Sequence, residues 1–261
     1  MRKSSRQWID LNRSKPKDER KGLSWIEGAK RKAVLKALEP IKNGWVVGIG
    51  SGSTTAYAVS ELGRITKARK LELSIVPTSH QIENLAVDHG LRVLSMNEAC
   101  TIDYAIDGAD QVERTSLNLI KGGGAAMLRE KIVDSAARTL AIVVDETKLS
   151  SHLGGEQRVP LEVMPSAYRY VQSRIARMGG KVQLRDGTGK VGPVVTDNGN
   201  FVLDADFGIM DRATALERRL KSVPGLIETG LFIRMADVVY VGLSSGEVKS
   251  MRPGYAMASV R

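Results

Sequence analysis

Along the first half of the chain, short runs of consecutive apolar residues alternate with longer amphipathic stretches. Ser24 is placed to cap a helix through WIEGAKRKAVLKALEPI, in which Trp25, Ala29, Ala33 and Leu38 fall near one face, and Pro40 and Gly44 close it. Trp45-Val46-Val47-Gly48-Ile49 then reads as a buried strand. It empties into Gly50-Ser51-Gly52-Ser53-Thr54, and TAYAVSELG reads as a helix ending at Gly63. The pattern recurs: Leu71 to Val76 is strand-like, Ser79 can cap the helix HQIENLAVDHG, and Leu91 to Leu94 is the next strand. Tyr104-Ala105-Ile106 forms a short strand ending at Asp107, and Leu140 to Val144 a fifth ending at Asp145. Strands alternating with helices predict an α/β fold on a doubly wound, mostly parallel, Rossmann-like sheet. In such sheets ligands gather at the carboxyl ends of the strands.

Near residue 155 the pattern changes. Helix-like MPSAYRYVQSRIARMGG precedes alternating KVQLR and NFVLDADFG, which are separated by a loop containing Asp197-Asn198-Gly199-Asn200. Another helix-like stretch, RATALERRLKSV, follows before Pro224-Gly225. Strands pairing antiparallel beside two helices predict a smaller α+β, ferredoxin-like domain over residues 156–228. ADVVYVGL, Ala236 to Leu243, returns to a fully apolar strand expected to rejoin the first sheet. Residues 25–155 and 229–250 then make the α/β domain, and residues 1–24 a tail.

Composition narrows the picture. A 42% apolar content with only 5% aromatics leaves branched and small aliphatic residues to do most of the packing. No stretch approaches the roughly 20 apolar residues that cross a bilayer. The opening MRKSS leads into more charge and not into an apolar leader core, so a cytoplasmic location without a membrane partner is expected. The single cysteine, Cys100, excludes an internal disulfide framework and reads as structural. Of the net charge of +10, about half lies in residues 1–24, which hold eight Lys/Arg against three Asp/Glu. That segment has few apolar residues and no period, so it is expected to be a mobile, solvated tail. It lacks interleaved aromatics and a reading helix, and no nucleic-acid partner is expected. The remaining positive excess suits a small anionic substrate.

Three constellations carry candidate chemistry. In the turn from Gly48 to Thr54, glycines let backbone approach an anion, and the following helix aims its N–H groups and positive dipole end at it. The third glycine of a dinucleotide fingerprint is replaced by Ser53, and no lysine precedes Ser53 or Thr54 as in a P-loop. A lone phosphate fits better than a nucleotide, although such a turn also serves as a plain tight connection. Asp107-Gly108-Ala109-Asp110 places two carboxylates on one turn, either converging on a ligand or acting as cap and solvated residue. In Lys121-Gly122-Gly123-Gly124, three glycines are costly to order and suit close backbone approach. The helix AAMLREKIVDSAA after them carries Glu130 near its start, as a base or as a dipole-stabilising surface residue. His80, His89 and His152 have no ligand spacing, so no metal and no cofactor are expected.

The strings GIGSGST, DGAD, IKGGGAAMLREKI, VVDETK and VVTDNGNFVLDADFG, in this order, resemble the ribose-5-phosphate isomerase A family over roughly residues 25 to 250. The resemblance implies an aldose–ketose isomerase of the non-oxidative pentose phosphate pathway, interconverting D-ribose 5-phosphate and D-ribulose 5-phosphate through an enediolate. It places the phosphate loop on Ser51, Gly52, Ser53 and Thr54, with Lys30 and Lys148 neutralising phosphate. It puts acidic loop residues at Asp107 and Asp110, the loop lysine at Lys121 beside Gly122, Gly123 and Gly124, and the general base at Glu130. Asp107 would assist ring opening, and Asp110 would orient substrate hydroxyls or Lys121. Ser51 stands where a threonine is common, and the basic tail has no counterpart. The family usually forms homodimers or homotetramers. A sugar-phosphate-sensing regulator shares the fold, but 24 residues cannot hold a winged helix. A CoA-transferase-like enzyme needs paired domains that this length does not accommodate.

Overall fold

A computed structural model of the chain describes residues 17–99, 101–189 and 191–254. The expectations for Cys100 and for residues 1–16 lie outside the described residues.

The central sheet has seven strands. Its order is Val248–Met251, Val238–Gly242, Leu140–Asp145, Tyr104–Asp107, Val46–Ile49, Ser74–Pro77 and Arg92–Val93. All neighbours pair in parallel except the edge strand Val248–Met251, which returns antiparallel along Val238–Gly242. Alternation within the strands splits the core into two layers. Val47, Ile49, Ile106, Ala141, Val143 and Tyr240 face one layer, packed by Ala33, Val34, Ala58 and Ile82 of three helices. Ala105, Leu140, Ile142, Val144, Val239 and Val241 face the other, against Met127 and Val133 of the helix Met127–Ala136. This is the expected doubly wound α/β fold.

The second sheet follows a strand–helix–strand–strand–helix–strand order, the ferredoxin-like plan. Its antiparallel strands lie in the order Lys181–Leu184, Phe201–Asp206, Val159–Val163 and Leu226–Thr229. The helices Tyr168–Arg177 and Ala213–Lys221 pack Val171, Ile175 and Leu220 onto it.

Two boundaries differ from expectation. The first helix runs Lys17–Leu38, so Ser24 lies inside it and not at its start. The charged residues before Ser24 are mostly good helix formers, which a search for an apolar face undervalues. The second helix, Ser53–Arg69, continues through Gly63, whose missing Cβ admits His89 Cβ. That glycine marks close packing, not a helix end. The third helix, His80–Asp88, starts as expected, with Ser79 Oγ accepting the Ile82 N–H. A small sheet of Leu231–Phe232, Leu119–Ile120, Gln111–Glu113 and Leu149–Ser150 was not foreseen, because its strands are too short to show a period.

Candidate active site

The carboxyl ends of Val46–Ile49, Tyr104–Asp107 and Leu140–Asp145 open onto a cleft of about 210 Å³. Its walls include Lys30, Ser51, Gly52, Ser53, Thr54, Asp110, Lys121, Gly122, Gly123, Gly124, Glu130 and Lys148. Thus twelve residues singled out from different parts of the sequence share one cavity. Asp107 is the exception. It is fully buried behind the wall and meets the cleft only through its neighbours.

One end of the cleft is the start of the helix Ser53–Arg69. Gly52, at its cap position, has φ 116° and makes no side-chain cap, and no acidic residue occupies the first turn. The Gly52 N–H donates to Gln81 Oε1 at 3.2 Å, but among the described residues those of Ser53, Thr54 and Thr55 make no hydrogen bond, so they and the dipole of this end are open to an anion. Lys30 and Lys148 stand on the same cleft. Ser51 faces a different task. Its hydroxyl is engaged with Thr78 Oγ1 (2.8 Å) and Ser79 Oγ (2.7 Å), and its backbone N–H donates to Glu130 Oε1 (3.2 Å).

The other end is a buried charge cluster around Lys121. Its Nζ lies 2.8 Å from Asp107 Oδ2 and 3.0 Å from Glu130 Oε2, and donates to Gly108 O at 2.8 Å. Gly50 makes this possible: a Cβ there would sit 1.7 Å from Asp107 Oδ1. Burial lowers the Lys121 pKa, but the charges of its ion-pair partners Asp107 and Glu130 outweigh it and hold the ammonium above its ordinary range. Burial pushes Asp107 up, with Lys121 pulling it back. Burial and the Asp107 charge push Glu130 up to about 7, against Lys121 and the Ser51 N–H. A carboxyl at that value takes and gives protons near neutrality.

Asp110 lies apart from this cluster. Its Oδ2 accepts the Gly123 N–H at 2.7 Å, so it orders the glycine loop, and among the described residues it forms no ion pair with Lys121. Two functional neighbours escaped the sequence reading. Asp134 lies one turn beyond Glu130 on the same helix, fully buried; burial and the Asp107 charge hold its carboxyl well above the usual range. The four-residue spacing from Glu130 was the available signal. Arg185 donates to the glycine loop from the second sheet, and nothing local in the sequence announces it.

The family model for ribose 5-phosphate isomerase A (phosphoriboisomerase A) matches residues 74–246. The chain is 50% identical over 217 residues to ribose-5-phosphate isomerase A of Methanothermobacter thermautotrophicus, covering 83% of this chain and 95% of that one. The solved structure of ribose 5-phosphate isomerase A from Methanocaldococcus jannaschii superposes with a TM-score of 0.83 at 41% identity, covering 87% of this chain and 99% of that one. A D-ribose-5-phosphate isomerase in complex with phospho-erythronic acid superposes with a TM-score of 0.84 at 42% identity and the same coverage. The chain belongs to the ribose 5-phosphate isomerase A family.

Proposed function

We propose that this protein interconverts D-ribose 5-phosphate and D-ribulose 5-phosphate through an enediolate, with Glu130 as the base. The observation that carries the reading is Glu130 itself. It is a carboxylate at the cleft wall, fixed by the Ser51 N–H and Lys121, and poised near pH 7. The complex of a relative with phospho-erythronic acid, a phosphorylated sugar acid, supports the same ligand class.

The substrate phosphate sits at the start of the helix Ser53–Arg69, where Gly52, Ser53 and Thr54 approach it and Lys30 and Lys148 balance its charge. Its reacting carbons then reach Glu130, which takes the proton from C2 and returns it at C1. Charge develops on the carbonyl oxygen as the proton leaves. Lys121 and the N–H groups of the Gly122–Gly124 loop stabilise it. Asp107 has no surface on the cleft, so its part is to keep Lys121 charged and placed. Ring opening falls to Asp110, the carboxylate that does line the cleft.

Incubation of the purified protein with ribose 5-phosphate, with ketose formation followed by absorbance, tests the reading. Turnover to the ketose is expected. Its absence in correctly folded protein rejects the proposal.

A further inference from the structure

The glycine loop is gripped from two sides by two different sheets. From the large sheet's side, Asp110 Oδ2 accepts the Gly123 N–H at 2.7 Å. From the small sheet, Arg185 Nη1 donates to Gly122 O at 2.9 Å and to Gly123 O at 3.0 Å. Arg185 directly follows the strand Lys181–Leu184. Its other nitrogens are taken within its own sheet: Nε donates to Asp204 Oδ2 at 2.8 Å, and Nη2 to Asp204 Oδ1. This two-point pairing fixes the plane of the guanidinium, and the remaining nitrogen reaches across to the loop.

The consequence lies on the opposite edge of the peptide. A trans peptide carries its C=O and N–H in opposite directions. With Gly123 C=O held toward Arg185, the Gly124 N–H is turned away from the small sheet. Gly124 lines the cleft, and among the described residues its N–H makes no hydrogen bond. Three successive glycines have wide conformational freedom, so this direction needs an external hold.

We propose that Arg185 is a positioning residue, pinning the glycine loop from the small sheet and aiming the Gly124 N–H at the oxygen that gains charge during isomerisation. The proposal rests on the isomerase reading above. Arg185 touches no substrate; it acts on the reaction through two carbonyl groups.

The test compares the unsubstituted protein with Arg185→Met and with the double variant Arg185→Met/Asp204→Asn. The single change leaves Asp204 without its partner, whereas the double change removes both charges together and keeps the test open if the single variant folds poorly. In both, kcat should fall by about 10- to 100-fold, the scale of a misaimed oxyanion donor. KM should change far less, because the phosphate seat is untouched. Hydrogen exchange read by mass spectrometry should show the amides of residues 122–126 opening faster in both variants. Recovery of kcat in the double variant would overturn the proposal, since the loss would then belong to an unpaired Asp204. A rise in KM at constant kcat, or unchanged loop exchange, would overturn it too. If the unsubstituted protein does not isomerise ribose 5-phosphate, the isomerase reading fails. The exchange data then decide by themselves whether Arg185 holds the loop.

Discussion

Glu130 and Lys131 are neighbours on one helix, yet they serve charge clusters of opposite character, both of which touch the ring of Phe232. On the cleft side a single ammonium, Lys121, is shared by Asp107, Glu130 and Asp134. On the other side Lys131 and Lys221 both bind Glu228, at 2.8 and 2.9 Å, with Glu217 3.9 Å from Lys131. There, burial raises the Glu228 pKa, but the two lysines outweigh it and the carboxyl ends below its ordinary value. Glu130, equally close to an ammonium, ends at about 7. Proximity to a lysine does not separate them. Burial comes first: it is the largest push on Glu130, whereas at Glu228 the lysines and the Thr229 N–H outweigh it; the number of carboxyls per cation comes next, because the Asp107 charge adds to the cost of ionising Glu130. One cluster is balanced and ties the helix Met127–Ala136 to the strand Leu226–Thr229 of the second sheet; the other is acid-rich and ready to exchange a proton.

The largest expected effect breaks the comparison at this pair. Glu130→Gln keeps size and removes the base, so turnover should fall by roughly 10²–10⁴-fold while binding of a phosphorylated sugar acid survives. In D₂O the unsubstituted protein should place solvent deuterium on the product's C1, and the variant should lose exchange along with isomerisation. A variant that still exchanges the C2 proton at a near-normal rate would move the base elsewhere. Glu228→Gln should do the reverse. It should cost about 1–3 kcal/mol of stability in denaturant titrations and leave kcat close to normal, since only a charged hydrogen-bond set is lost.

The two clusters should also tilt stability in opposite directions with pH. Glu130 has a folded value raised above 4.5, so the folded state holds its proton more tightly than the unfolded chain. Stability therefore falls as pH rises from about 4.5 to about 7, and the cost persists above that. Glu228 has a depressed value, so its contribution is present above 4.5 and lost as pH falls through the lower folded value. Glu130→Gln should accordingly raise Tm more at pH 8 than at pH 5. A Tm gain independent of pH would mean that Glu130 is not protonated with the value given. The rate should follow the same group, with an acid limb near pH 7, because only the ionised carboxylate takes the C2 proton.

How much of this was legible in the sequence follows from what is local. The strand ends carrying Ile49, Asp107 and Asp145, and the turns after them, are contiguous strings whose chemistry can be read directly. They delivered the parallel sheet and most of the cleft. What was missed depends on long-range approach. Arg185 lies more than 60 positions from the glycines it grips. The hydroxyl of Ser51 is engaged by Thr78 and Ser79, from the next strand end, a contact that its own string does not show. Asp107 looked like a cleft residue because its turn is short and polar, and only the depth of the strand end shows that it lies beneath Lys121. Gly63 read as a helix stop because space for His89 is not a local property.

A smaller effect is expected at the phosphate end. Lys148→Ala should raise KM by roughly tenfold or less with kcat nearly constant, since a contact remote from the reacting carbons holds ground and transition states alike. Collapse of kcat at constant KM would instead attach Lys148 to the acid-rich cluster.

The smallest expected effect sharpens the count on which the comparison rests. Asp134 has no exposed surface, and neither of its oxygens accepts an N–H or O–H hydrogen bond among the described residues. Its interaction is with Asp107, another buried carboxyl. Two such groups in contact cannot both ionise cheaply, and burial together with the Asp107 charge keeps the proton on Asp134. It then counts as a neutral donor, and Asp134→Asn replaces one neutral, similarly shaped group with another. Turnover at pH 7 should stay close to that of the unsubstituted protein, and the acid limb should not move. If Asp134 were instead ionised, its removal would take a negative charge away from Glu130. The Glu130 pKa would fall, and the acid limb would shift to lower pH. A pH profile of kcat for the Asn variant separates the two cases by the presence or absence of that shift.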